Sequence, residues 1–166
     1  MEFKLYRFNK PLKRFLTFFL VTLTCGMIIG LVYLNQTTGL SADGTINRIS
    51  GSQEEAGFDI PDYYPKPISE LLITTHNHVI SFALIFFVIG GLFYFNTIVG
   101  SFWKSFFMIE PLVSILVTFG SIWGLRFISN DIIYITIVSS TLLYFSYFFI
   151  VSIILYELNF KKSPSN

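Results

Sequence analysis

The two histidines of the chain, His76 and His78, stand two positions apart in a segment that also carries Glu70. Imidazole binds metal ions and haem iron, and a carboxylate is a further metal ligand. We therefore take His76, His78 and Glu70 as candidate metal ligands. Two interpretations stay open: a polar collar at the lipid headgroup level, or a ligand or proton-handling site, since ionisable groups close to hydrocarbon are costly.

The conformation of this segment decides which chemistry is available. In a helix, Glu70, Thr74 and His78 share one face, because residues three and four apart are neighbours. His76 then points to the opposite side, so a metal shared by both rings requires an extended His-x-His pair instead. Two histidines this close cannot clamp haem b from opposite sides, so His78 would need a second subunit or Met27 as the other ligand. The candidate cofactors are haem b, a metal ion or a quinone.

Glu110 is the other candidate, about one turn inside its predicted helix and followed by Pro111. It either stays in the headgroup layer near Lys104 or is a buried carboxyl that serves as a proton acceptor or cation site. The sequence has no phosphate loop, no nucleophile elbow, no His-Glu-x-x-His and no dinucleotide fingerprint. We assign no catalytic residue, and a non-enzymatic role is favoured.

The composition indicates the environment in which these residues work. Of 166 residues, 53% are hydrophobic and 13% are charged, and the mean hydropathy is +0.65. So short a chain cannot hide that much apolar surface in its own interior, which predicts an integral membrane protein with the lipid bilayer as its first partner. The net charge of +1 gives no reason to expect nucleic acid binding. The single cysteine, Cys25, excludes an intrachain disulfide framework.

Four apolar stretches reach the length of about 20 residues that a membrane crossing requires. They predict transmembrane helices over 15–34, 68–98, 106–127 and 132–156, the second with an extension outside the membrane. A basic N-terminus (1–14), a polar loop (35–67) and a polar tail (157–166) complete the chain. The loop is interpreted as an ordered cap or a mobile segment. Short connections make neighbouring spans antiparallel, so we predict an all-α four-helix bundle.

The basic residues predict the orientation, because cytoplasmic loops are enriched in Lys and Arg. One side of the predicted membrane holds eight of the 11, and the other holds Arg48, Lys66 and Arg126. Both termini are therefore predicted in the cytoplasm of a cell whose inner (plasma) membrane the chain crosses, with the loop 35–67 on the periplasmic side.

Two glycine pairs have the spacing that lets helix backbones approach closely. Gly26 and Gly30 lie in the first span, and Gly120 and Gly124 lie in the third. We expect both pairs at tight helix contacts in the outer half of the bundle.

Residues 37–78 carry a pattern that resembles small uncharacterised bacterial inner-membrane proteins. In those proteins a first span is followed by a Gly-Leu-x-x-x-Gly loop and a Thr-His-x-His helix start. The matching residues are Gly39, Leu40, Gly44, Thr75, His76 and His78. The resemblance implies a bacterial inner membrane and a role for the two histidines.

Two functions from different classes follow from these residues. The first is a non-catalytic membrane subunit or an assembly factor that docks with other membrane subunits or in a homo-oligomer. The second is a redox or proton-handling module that binds haem, a metal or a quinone through His78, with His76 and Glu70. We favour the first, because one histidine-bearing helix gives poor support for an autonomous cytochrome.

Overall fold

The computed structural model describes residues 4–52 and 63–161, and all regular structure in these ranges is helical. Five α-helices follow one another, with one 3-10 turn before the first and another before the last. Their bounds are Leu5–Arg7 for the first 3-10 turn, Lys10–Thr38 for α1, Ala42–Ser50 for α2, Ile68–Tyr94 for α3, Ser101–Phe127 for α4, Asn130–Ile132 for the second 3-10 turn and Ile133–Asn159 for α5. Parts of the predicted loop (53–62), N-terminus (1–3) and tail (162–166) lie outside the described residues.

The four long helices α1, α3, α4 and α5 are each long and apolar enough to cross a membrane. They run alternately up and down, which confirms the predicted all-α architecture of four membrane-spanning helices. We call the end at which α1 finishes and α3 begins the α2 end, and the opposite one the terminal end. Chain segments near both termini meet at the terminal end, where Asn159 Nδ2 donates to Thr17 Oγ1 at 3.1 Å.

Helix α1 extends beyond both ends of its predicted apolar span, because local capping, and not hydropathy, sets its first residue. The Asn9 side chain accepts from the Leu12 N–H at 3.0 Å and starts α1 five residues before the predicted span 15–34. At 29 residues α1 is about 43 Å long, whereas hydrocarbon is about 30 Å thick. Helix α1 is therefore longer than a perpendicular crossing of the hydrocarbon requires.

The corner between α1 and α2 gives the segment 39–44 its structure. Gly39 (φ 60°) and Leu40 (φ 50°) adopt the left-handed conformation, and Ser41 caps α2 by accepting from the Gly44 N–H at 3.0 Å. A Cβ at Gly44 would lie 2.0 Å from the Thr38 carbonyl oxygen, so glycine is required there. Gly39 is favoured for a different reason: glycine has no Cβ and adopts a positive φ without a steric cost.

Helix α2 is an ordered element within the segment that was predicted as a loop. Ile49 packs with Leu125 and Ile133, where α4 ends and α5 begins. The Ser50 hydroxyl donates to the Leu125 carbonyl oxygen at 3.0 Å. These contacts hold α2 as a cap on the ends of the long helices.

The core is built from all four long helices, and α4 and α5 share the most extensive helix contact. Leu20, Ile89, Phe93, Tyr147 and Ile150 have no exposed surface. Tyr147 packs edge-on against Phe86, with ring centroids 6.3 Å apart. Close packing of this kind is a main source of attraction between helices in a membrane. Lipid tails are as apolar as the helices, so the hydrophobic effect does not drive the helices together.

Helix α3 ends at Tyr94, so the predicted second span over 68–98 is four residues too long. The reason is a polar turn that hydropathy does not reveal. The Asn96 side-chain oxygen accepts from the N–H groups of Ile98 and Val99, at 3.1 and 2.8 Å. The buried Glu157 of α5 accepts from the Thr97 N–H and hydroxyl, at 2.8 and 2.7 Å.

Candidate functional site

A groove of about 860 Å³ lies between α4 and α5. Its walls are mostly apolar, with four polar side chains among them. We call it the α4–α5 groove and define it by the residues that line it: Phe102, Ser105, Phe106, Ile109, Glu110, Val113, Ser114, Val117, Tyr134, Ile135, Val138, Ser139 and Leu142. Its size and apolar lining with a few polar groups are typical of binding sites.

Glu110 is the charged residue of this groove. Its two carboxylate oxygens accept hydrogen bonds from the hydroxyls of Ser114, one turn along α4, and Ser146 on α5. Ser146 is the middle residue of α5, so the carboxyl lies deep between the two helices. Glu110 is half-buried between the two helices, and its role as a proton acceptor or cation site stays a prediction.

A line of hydroxyl groups continues from Glu110 toward the α2 end. Thr118 donates to Ser139 at 2.8 Å, and Ser121 and Thr136 share a hydrogen bond of 2.8 Å. All four side chains are buried. We call this set, together with Glu110, Ser114 and Ser146, the α4–α5 seam. Interhelical bonds of this type fix the rotation and register of two membrane helices.

The seam could have been anticipated from one signal in the sequence. Glu110, Ser114, Thr118 and Ser121 recur at spacings of four, four and three, which places them on one face of a helix. In an otherwise apolar span, such a stripe predicts a face turned away from lipid. Sequence reasoning treated Glu110 alone and missed the stripe.

His78 lies exposed on α3, within contact distance of α4. Its ring centroid is 5.4 Å from that of Phe119 and 5.9 Å from that of Phe82. Its Nδ1 is 2.8 Å from the Thr74 carbonyl oxygen. A carbonyl only accepts, so Nδ1 carries the hydrogen and Nε2 of the neutral ring is left as an acceptor.

The other proposed ligands lie apart from one another. His76 and Glu70 are both exposed on α3, and since this helix begins at Ile68, the two histidine rings project from different sides of it. Met27 belongs to the buried core cluster. Within residues 4–52 and 63–161 no group of three or more His, Cys, Asp or Glu side chains could hold a metal ion. The ligand sets centred on His78 stay predictions.

The glycine pairs differ from each other in their surroundings. A Cβ at Gly26, Gly30 or Gly120 would meet no atom within 4 Å, so these three do not lie at tight contacts with the described part of the chain. A Cβ at Gly124 would lie 2.9 Å from Ile132 Cδ1. The contact at Gly124 is with a side chain of the adjoining 3-10 turn and not with the backbone of another helix, so the tight helix contacts stay a prediction.

Four antiparallel apolar helices with a polar seam between two of them define a multi-pass integral membrane protein. Comparison with family models gives the same class and a family. The chain belongs to the Aq_1264_TM family, a transmembrane helical domain, whose model matches residues 39–165. Neither the curated proteins nor the solved structures give a significant match.

Proposed function

We propose that this protein is a non-catalytic membrane subunit or assembly factor, and that its α4–α5 groove binds a transmembrane segment of a partner protein. The observation that carries the proposal is the position of Glu110, deep in the groove and half-buried. A carboxyl at this depth is costly, and the hydroxyls of Ser114 and Ser146 offset only part of that cost.

The depth of Glu110 favours a protein partner over a lipid chain. Glu110 is the tenth residue of α4, about 14 Å along its axis. Within the hydrocarbon layer a phospholipid offers only CH₂ groups, whereas a helix can present a Ser, Asn, Gln or Lys donor. Hydrogen bonds between membrane helices contribute about 0.6 to 2 kcal/mol each.

The shape of the groove also suits a helix. On α4 it runs from Phe102 to Val117, about 22 Å along the axis. This is about four helical turns, enough for one face of a partner helix. Its exposed apolar wall includes Val138, which has 60% of its side chain accessible. Packing in lipid depends on such shape complementarity.

Photo-crosslinking in native membranes tests this proposal. A photoreactive residue in place of Val138 should yield a discrete adduct with a protein, and Glu110→Leu should abolish that adduct because the hydrogen-bond acceptor is lost. Glu110→Gln keeps one acceptor oxygen and should retain part of it. The matched control replaces Phe87, which is 77% exposed on α3 and does not line the groove.

The crosslinked products distinguish a docking groove from a surface that contacts only lipid. A protein adduct at Val138 that depends on Glu110 supports a docking groove, whether the partner is another protein or a second copy of this chain. Lipid adducts alone at Val138, or the same adducts at Val138 and Phe87, would overturn it.

A second candidate function rests on the hydrogen bond of His78. Histidines that ligate metal or haem commonly donate their other ring N–H to a carbonyl, which fixes the tautomer. The Nδ1 contact with the Thr74 carbonyl has this form, and the ring is exposed. A redox or ligand-binding module would use Nε2 toward haem, a metal ion or a quinone, with a second ligand from another subunit.

The absorption spectrum and metal content of the purified protein test this candidate. A cofactor held by His78 predicts that His78→Ala removes it and that His76→Ala, on another side of α3, leaves it in place. Equal effects of both substitutions would contradict this arrangement, as would a parent protein without absorption or metal.

A further inference from the structure

A second cavity of about 430 Å³ lies at the α2 end, where α1, α2 and α3 meet. Its polar lining combines two cationic side chains, one carboxylate, two phenols and a hydroxyl: Arg48, Lys66, Glu70, Tyr33, Tyr64 and Thr74. Among the described residues that line it, two cations and one carboxylate give a net positive charge. It lies at the ends of membrane-spanning helices, the level of lipid headgroups.

Neutral side chains hold the two cations in position. Arg48 Nη2 donates to the Tyr33 hydroxyl at 2.7 Å, and Arg48 Cζ lies 5.2 Å from the centroid of the Tyr33 ring. Lys66 Nζ donates to Thr74 Oγ1 at 3.2 Å. Neither partner carries a charge, so these contacts orient Arg48 and Lys66 without neutralising their positive charges.

The backbone fixes the spacing of the two cations. The Lys66 N–H donates to the carbonyl oxygen of Ile49, the residue after Arg48, at 3.1 Å. Gly51 (φ 86°) allows the two chain segments to approach, because a Cβ there would lie 2.9 Å from Pro65 Cδ. The backbone contacts between the two segments therefore hold Arg48 and Lys66 in the wall of the cavity.

We propose that this cavity binds a phosphate ester of net negative charge, the chemistry shared by anionic phospholipid headgroups and soluble phosphate compounds. The guanidinium of Arg48 matches phosphate oxygens through paired N–H donors, and Lys66 adds a point charge. Tyr33 and Tyr64, exposed by 60% and 69%, give the rim an amphipathic surface of the kind that faces lipid headgroups. The lipid is thus the favoured source.

Native mass spectrometry of the purified full-length chain, titrated with phosphatidylglycerol or with neutral phosphatidylcholine, tests the proposal. The parent should retain phosphatidylglycerol more tightly. The double variant Arg48→Gln/Lys66→Gln should bind it about tenfold or more weakly, since each cation near a membrane surface contributes about 1 kcal/mol. The control Lys10→Gln/Arg14→Gln removes the same charge from exposed positions at the terminal end and should keep the parental affinity.

The variant Glu70→Gln should change the affinity for phosphatidylglycerol in the opposite direction. Removing this carboxylate from the cavity should raise the affinity for phosphatidylglycerol, a gain that loss of folding cannot mimic. Competition by inorganic phosphate would identify a site that also accepts soluble phosphate, and lack of competition would identify a lipid site. Equal binding of both lipids by the parent, equal losses in the two double variants, or no gain from Glu70→Gln would overturn the proposal.

Discussion

Two carboxyl groups lie between the long helices, and their surroundings give them different roles. Glu157 has no exposed surface, and its bonds to Thr97 tie α5 to the turn between α3 and α4. Glu110 is half-buried at a groove and bonds to two serines. The first carboxyl is enclosed by its own chain, whereas the second can be reached by another molecule.

At Glu157 we expect a structural loss on substitution. Glu157→Leu removes the acceptor of the Thr97 N–H and hydroxyl, and bonds of this kind to a charged group contribute about 1.5 to 3 kcal/mol. Since two such bonds are lost, the free energy of unfolding in detergent, followed by circular dichroism during denaturant titration, should fall by about 3 to 6 kcal/mol.

Thr97→Val is the matched control, since it keeps the N–H bond to Glu157 and removes only the hydroxyl, which donates to Glu157 and accepts from Lys161 Nζ at 2.6 Å. Its loss should be smaller, and combining it with Glu157→Leu should add little, because both changes break the same contact. Additive losses, or no loss from Glu157→Leu, would contradict a clamp between these residues.

Among the elements, the corner between α1 and α2 gives the Gly-Leu-x-x-x-Gly pattern a local physical basis. Gly39 ends α1 in the left-handed conformation, and Gly44 lets the backbone of α2 approach the last turn of α1. The corner directs α2 across the ends of α4 and α5, where Ile49 is buried. The same corner brings Arg48 to the cationic cavity.

We expect Gly44→Ala to disrupt this corner. The new Cβ would lie 2.0 Å from the Thr38 carbonyl oxygen, which is backbone and cannot rotate away. Limited proteolysis should then cut near α2 faster than in the parent. Gly120→Ala, where a Cβ meets nothing within 4 Å, should leave proteolysis unchanged and gain up to about 1 kcal/mol of helix propensity. Equal protection of both variants would refute the contact.

At the junction of α4 and α5 we expect Gly124→Ile to destabilise and Gly120→Ile to be tolerated. Overpacking against Ile132, already 2.9 Å from a Cβ at Gly124, should cost about 1 to 3 kcal/mol. Thermal aggregation in detergent measures the difference. Adding Ile132→Ala should restore part of the loss at Gly124, and no restoration would show that the cost has another origin.

Hydropathy predicts the elements well and their rotation poorly. Four apolar runs indicate four helices because any crossing requires about 20 apolar residues. Lipid and protein interior are equally apolar, so the sequence did not show that Gly26 faces outward or that Glu110 meets Ser146. Helix α2 was not assigned because a polar segment of nine residues has no apolar period long enough to detect.

On the scale of the whole molecule, the two ends of the bundle differ in their structural elements and contacts. The terminal end holds the 3-10 turn Leu5–Arg7, the Glu157 contacts and Lys161, whose Nζ lies 5.5 Å from the Tyr6 ring centroid. The α2 end holds the cap and the cationic cavity. The groove with Glu110 opens between them, so the proposed membrane partner and the proposed phosphate ester would occupy separate places.

The orientation of these ends is predicted from the basic residues, with the terminal end in the cytoplasm. In a Cys25→Ser background, Asp43→Cys on the exposed side of α2 should react with a membrane-impermeant thiol reagent in intact cells. Lys10→Cys at the start of α1 should react only after the cells are permeabilised. Both sites are exposed, so a difference in labelling reports sidedness and not burial. Labelling of Lys10→Cys alone would reverse the orientation, and the cationic cavity would then meet the cytoplasmic leaflet, whose anionic lipids attract such sites more strongly.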